Sequence, residues 1–207
     1  MMRFTTMKTK LRKYPSIFLI LLLAISSCFL TGCVNQHPKD SKKSSQGESV
    51  ETMLEITDPK EKQAVLNAKA KVKALSGNPR IVATSPAVAD ICDKLDLDLV
   101  GVPKSSVSKI PSRYKKVKKV GLAMSPDMEI VSSLNPDWIL APSSLETDLK
   151  PKFEELKNTE YAFLNLRSVQ GMYRSVQELG EIFGKQQEAE KMTKEFTTFY
   201  KSYYKTK

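Results

Sequence analysis

A chain of 207 residues with 33 basic and 23 acidic side chains has a formal net charge of +10, but five of the basic residues and no acidic ones lie before residue 33. The remainder therefore carries +5, a balance too modest to mark a nucleic-acid partner. Three cysteines and one histidine, scattered along the chain, exclude a zinc cluster and a disulfide framework.

Residues 1–32 have the layout of an export signal, with Arg3, Lys8, Lys10, Arg12 and Lys13 ahead of an apolar run of fifteen residues from Ser16 to Leu30. That run is shorter than the about 20 residues a membrane-spanning helix needs. It ends in Leu30-Thr31-Gly32-Cys33, which resembles the lipobox of bacterial lipoproteins. The motif implies a diacylglyceryl group on Cys33, removal of the signal, and a lipid anchor holding the protein on the extracytoplasmic face of the cell membrane. Cys28 leaves with the signal and Cys33 becomes the anchor, so Cys92 stands alone and no internal disulfide is expected. Val88, Ile91, Cys92 and Leu95 share a helical face, which makes Cys92 a buried small apolar residue.

Residues 33–50 are rich in Ser, Lys, Gln and Asn, the composition of a flexible tether, and His37 within it is a solvated side chain rather than a ligand. A helical spacer is expected over 51–78, where Ala64, Val65, Ala68, Val72 and Leu75 recur at helical spacing after Pro59, and Gly77-Asn78-Pro79 stops it. Packing on the next domain and a solvated basic helix both remain open for it. From 79 to 184 strands and helices alternate. Strands are predicted at Arg80–Thr84, Leu99–Val102, Trp138–Ala141 and Tyr161–Leu164, and helices at Ala87–Leu95, Glu146–Lys157 and Val169–Phe183. This is the pattern of an α/β fold, a Rossmann-like doubly wound parallel sheet, built as one lobe. Residues 185–207 follow as one long helix with Ala189, Met192, Phe196, Phe199 and Tyr203 on a stripe.

Within the lobe, Lys119 to Leu140 reads as strand, turn, short helix, strand. Gly121 permits the turn, Ser125 is expected to cap a helix beginning at Pro126, and Asn135-Pro136 ends it. Met124 then lies at the carboxyl edge of a strand, where open α/β sheets present groups to ligands. Thr84, Ser85, Ser105, Ser106 and Ser143 follow other strands and gather on the same edge, offering hydrogen bonds around a flat apolar ligand body. Taken singly, each is also ordinary turn chemistry, and an isolated Met is most often a core gap-filler. The pairs Lys115-Lys116 and Lys118-Lys119 suit either a solvated surface or the steering of an acidic porphyrin.

Val120-Gly121, Met124-Ser125-Pro126, Glu129 and Leu134-Asn135-Pro136-Asp137 together resemble the haem-receptor branch of the iron-siderophore substrate-binding proteins of ABC importers. Arg80-Ile81-Val82-Ala83-Thr84-Ser85, Val100-Gly101-Val102-Pro103 and Ile110-Pro111-Ser112-Arg113-Tyr114 extend the likeness from Pro79 to the end. The resemblance implies one lobe of a two-lobed periplasmic-binding-protein-like fold, with haem (iron protoporphyrin IX) as ligand, Met124 as an axial ligand to its iron, and Glu129 as the acid that docks on a permease arginine. It also implies two kinds of partner, an ABC permease and haem-donating surface proteins. In that family a long helix bridges to a second lobe whose His faces the Met across the haem. Residues 79–207 correspond to the first lobe and part of the bridge, and contain no His, so one-sided coordination of the iron is expected.

A ferric-siderophore receptor is the alternative within the family, and there Met124 is structural. An enzyme is not expected: the chain has no nucleophile elbow, no phosphate-cradling glycine loop and no His beyond residue 37. A lipoprotein that docks another protein through Phe196, Phe199 and Tyr203 is the third reading.

Overall fold

A computed structural model describes residues 3–4 and 54–205. Cys33, His37, the tether and nearly all of the expected signal therefore lie outside the described residues.

Its main sheet is built of β1 (Arg3–Phe4), β2 (Ile81–Ala83), β3 (Leu99–Val102), β4 (Lys118–Lys119), β7 (Trp138–Pro142) and β8 (Glu160–Leu164). They lie in the order β1-β8-β7-β2-β3-β4. Strands β8, β7, β2, β3 and β4 are mutually parallel, and β1 alone runs antiparallel on the outside of β8. If residues 1–32 are removed as expected, β8 becomes an outer strand. Chain order runs outward from β2 to β3 and β4, then crosses back to β7 and β8. The sheet is thus doubly wound, with its switch point between β2 and β7.

Alternation along each strand shows why both faces are covered. Ile81, Ala83, Trp138, Leu140, Ala162 and Leu164 point into one apolar core. Val82, Ile139, Ala141, Tyr161 and Phe163 point into the other. The first core is closed by helices α1 (Pro59–Lys73), α2 (Pro86–Lys94), α5 (Val169–Phe183) and α6 (Gln186–Lys205). The second is closed by α3 (Met128–Ser133) and α4 (Glu146–Glu154). Cys92 is fully buried in the first core, and desolvation pushes its thiol up to about 12, so it behaves as the apolar residue its spacing implied. Helix α4 ends three residues earlier than predicted, because Asn158, in the left-handed region at φ 63°, turns the chain into β8.

Helix α1 packs on the lobe, one of the two arrangements left open for it. Pro59 does not interrupt it but opens it: Asp58 is the cap, accepting from Lys60 N at 2.7 Å. Val65 and Ala68 are buried in the first core, so these residues belong to the packed domain rather than to a free spacer. Ion pairs reach from it to the rest, Lys69 to Glu181 at 2.7 Å and Lys71 to Glu160. Arg174 of α5 donates to Glu61 of α1 at 2.6 Å, with Glu61 6% exposed.

Glu178, one turn along α5 and fully buried, has no N–H donor on either carboxyl oxygen. Burial, then the neighbouring Glu61, pushes its carboxyl up to about 8. Arg174 serves Glu61 Oε2, and a proton held on Glu178 supplies a donor for the other oxygen, Oε1, which is buried with no other partner. Because its folded value is raised above the ordinary 4.5, the folded state binds the extra proton, and its stability contribution is fully present below about 4.5 and is lost as pH rises through about 8. The melting temperature should therefore fall between about pH 4.5 and pH 8, and Glu178→Gln should flatten that fall, raising the melting temperature at pH 8 and leaving it unchanged at pH 4. Parallel pH profiles for the two proteins would refute the protonated pair.

Candidate functional site

The chain leaves β4 at Val120, which is fully buried and bonds Val102 O at 2.9 Å. It then makes a two-stranded hairpin rather than entering a helix. Strand β5 (Gly121–Leu122) pairs antiparallel with β6 (Ser125–Pro126), with Ala123 and Met124 at the tip. Gly121 is required, since its φ of 96° lies in the left-handed region and a Cβ there would meet Asp127 N at 2.9 Å and Ser125 O at 3.1 Å. The base is pinned from both sides, by Asp127 N to Val120 O at 2.7 Å and Lys104 N to Gly121 O at 2.6 Å.

Two sequence expectations change here. Ser125 is not the helix cap and Pro126 not its first residue, because both are spent on the return strand. Asp127 caps α3 instead, its Oδ1 accepting from Glu129 N and Ile130 N at 3.1 Å each. The helix is thereby cut to six residues, with Glu129 exposed in its first turn. Met124 is not a gap-filler: it is 75% exposed, beside Leu122 at 59%. Met128, Met172 and Met192 pack against the cores. A pinned base with an exposed thioether at the tip can present sulfur, a soft neutral donor, without disturbing the fold.

The other predicted residues share the carboxyl edge but separate along it. Five parallel strands at about 4.8 Å spacing spread their loops over roughly 19 Å. Ser105 and Ser106 follow β3 and so neighbour the Met124 hairpin. Ser105 Oγ accepts from Ser108 N at 3.0 Å, which stiffens that loop, while Ser106 is exposed. Thr84 is a correction: it is 1% exposed, and its hydroxyl donates to Leu140 O at 3.3 Å, tying β2 to β7. Ser85 is also buried, as the cap of α2, accepting from Val88 N at 3.3 Å. Both fix the switch point rather than offer open hydroxyls.

Ser143, after β7, lines a cleft of about 540 Å³ with Glu146, Thr147, Lys150, Glu154, Asn165 and Arg167. Asn165 and Arg167, absent from the predicted set, follow β8 in the position the other loops hold after their strands, and that rule applied once more would have found them. A second cleft of about 440 Å³, around Asn135 and Asn158, lies at the opposite, amino edge of the sheet, away from where such folds bind ligands. No group of three or more His, Cys, Asp or Glu among the described residues is arranged to hold a metal ion.

Known proteins share this fold. The chain is 36% identical over 117 residues to the high-affinity heme uptake system protein IsdE of Staphylococcus aureus strain Newman, a match covering 56% of this chain and 39% of IsdE. It superposes with a TM-score of 0.56 on an ABC transporter substrate-binding protein from Listeria monocytogenes EGD-e at 44% identity, covering 59% of this chain and 46% of that one. The crystal structure of S. aureus IsdE complexed with heme gives the same TM-score and coverage at 34% identity. The siderophore-binding protein BauB, bound to ferric iron with two acinetobactin molecules, follows at 0.51 and 25% identity, covering 58% of this chain and 45% of its own. The chain thus spans less than half the length of these relatives. The periplasmic binding protein family profile matches residues 81–203, every strand and helix from β2 into α6, and more than half of the sequence therefore assigns the chain to that family.

Proposed function

We propose that the protein is a substrate-binding component of an ABC importer for haem, tethered to the extracytoplasmic face of the membrane through lipidated Cys33. It is not an enzyme but a carrier, receiving haem from surface proteins and passing it to a permease. The observation that carries the ligand assignment is the exposed thioether of Met124 on a pinned hairpin at the carboxyl edge. A thioether is an established axial ligand to haem iron, and the apolar Leu122 beside it suits a flat macrocycle. The likeness to IsdE, a heme uptake protein, supports the same choice. The likeness to BauB favours a second reading, a ferric siderophore in the same place, for which Met124 has no chemical role.

Optical titration separates the two. Haem should develop a shifted Soret band with saturation, whereas a ferric siderophore should not compete for it; a saturable siderophore response with no haem response would select the second reading.

Two expectations follow for the proposed partners. Glu129, exposed at the start of α3, is assigned to permease docking. Glu129→Lys should abolish haem import in cells while haem affinity changes less than about two-fold, and unimpaired import would sink the assignment. Cys33→Ser should release the protein from the membrane fraction or leave it unprocessed, since a charge of +5 and a polar tether give little membrane affinity of their own. Wild-type protein recovered unlipidated and wholly soluble would contradict the anchor.

A further inference from the structure

Between Leu99 and Pro126 the chain has seven basic residues and no acidic one, whereas from Asp127 to Gly184 it has ten acidic residues and five basic. The charge of the lobe is therefore polarised toward the β3–β4 end of the sheet. Arg113 does not contribute to the excess, because its guanidinium bonds Asp96 and Asp98 at 2.8 Å each. What is left is a belt of six lysines, Lys104, Lys109, Lys115, Lys116, Lys118 and Lys119. All are exposed, and none is in an ion pair with another described residue.

The belt is held in place. Arg113 anchors the turn that precedes Lys115, and Tyr114, buried, donates its hydroxyl to Leu97 O at 2.5 Å. Lys118 and Lys119 form the edge strand β4 itself. Lysines on an edge also discourage pairing with other chains, but that explains two of the six and not the four in the loop. At its inner end the belt meets the hairpin, through the bond from Lys104 N to Gly121 O. Exposed apolar side chains, Val107 at 95% and Leu122 at 59%, stand among and beside the lysines.

We infer that this lysine belt is an electrostatic entry surface that draws a carboxylate-bearing ligand onto the Met124 hairpin. The inference rests on the haem reading above and adds to it a capture step that acts through the ligand's acid groups. Fixed like charges beside a site raise the local concentration of an oppositely charged ligand and speed its association by ten-fold or more, with a steep dependence on salt. An anionic bilayer would also be attracted to six lysines, but that reading does not explain why the belt ends against the hairpin.

The test is stopped-flow association of haem with the lipid-free chain and with its Lys104→Gln, Lys109→Gln, Lys115→Gln, Lys116→Gln variant, which leaves the edge strand and Met124 intact. At low ionic strength the variant should associate about ten-fold more slowly. The difference should vanish in about 1 M salt, where the screening length is about 3 Å. The dissociation rate and the absorption spectrum of the complex should not change. Equal association rates at low salt, or a deficit that persists unchanged at high salt, would overturn the inference while leaving the haem reading intact. Loss of sedimentation with phosphatidylglycerol vesicles, at an unchanged haem association rate, would reassign the belt to the membrane. Absence of any haem spectrum in either protein would overturn the haem reading and the inference with it.

Discussion

Met124→Ala should weaken haem binding by at least about ten-fold and shift the absorption of whatever complex remains, because the variant removes the sulfur proposed as the ligand to iron. The same change should leave stability within about 0.5 kcal/mol of wild type, as expected for an exposed side chain with no packing role. That combination is diagnostic. The side chain is 75% exposed, while the hairpin is held by its backbone and by Gly121. A fall in melting temperature with an unchanged spectrum would mean that the thioether belongs to packing and that another group holds the ligand. Met124→His offers a converse: an imidazole at the tip should restore strong binding with an altered spectrum.

Phe153→Ala should be the most damaging single substitution for the fold, costing about 3–5 kcal/mol. Phe153 is fully buried where α4 crosses the sheet, and its ring lies 5.8 Å from those of both Tyr161 and Phe163, stacked on the latter at 15°. Removing it empties the centre of the second core, which among the described residues two short helices close. Across a domain of this size the loss corresponds to a melting temperature lower by roughly 10 °C. Denaturant unfolding measures it directly, and a cost under about 1 kcal/mol would show that α4 can collapse into the space. Haem binding per folded molecule should persist, since Phe153 lies inside a core and Met124 at the edge.

The order of strands and helices was legible because strands buried on both faces read as short apolar runs, and because Gly, Asn and Pro punctuate them. Leu99–Val102 and Val169–Phe183 form over the residues the pattern marked. The hairpin at 121–126 was not legible. Its strands are two residues each, too short for any period, and what creates it is the positive φ of Gly121 together with a bond from Lys104, whose sequence position gives no hint of it. Ser125 looked like a helix cap because Ser-Pro is a sound opening for a helix, yet Asp127 makes the same bonds two residues later once the hairpin has claimed Ser125. The Glu61–Arg174 pair was hidden for another reason. Its members are 113 residues apart, and nothing in α1 alone tells a buried acid from a solvated one. Of the expected ligand edge, the placement of Met124, Ser105 and Ser106 followed from strand ends, whereas the burial of Thr84 depends on where Leu140 lies across the sheet.

The proposed bond between the Met124 sulfur and the iron of a bound haem is tested most directly by X-ray absorption at the iron edge. Haem-loaded wild-type protein should show one sulfur scatterer in the first coordination shell, and Met124→Ala loaded at high haem concentration should show none. A first shell of nitrogen and oxygen alone in the wild type, or a sulfur scatterer that survives in the variant, would contradict the account.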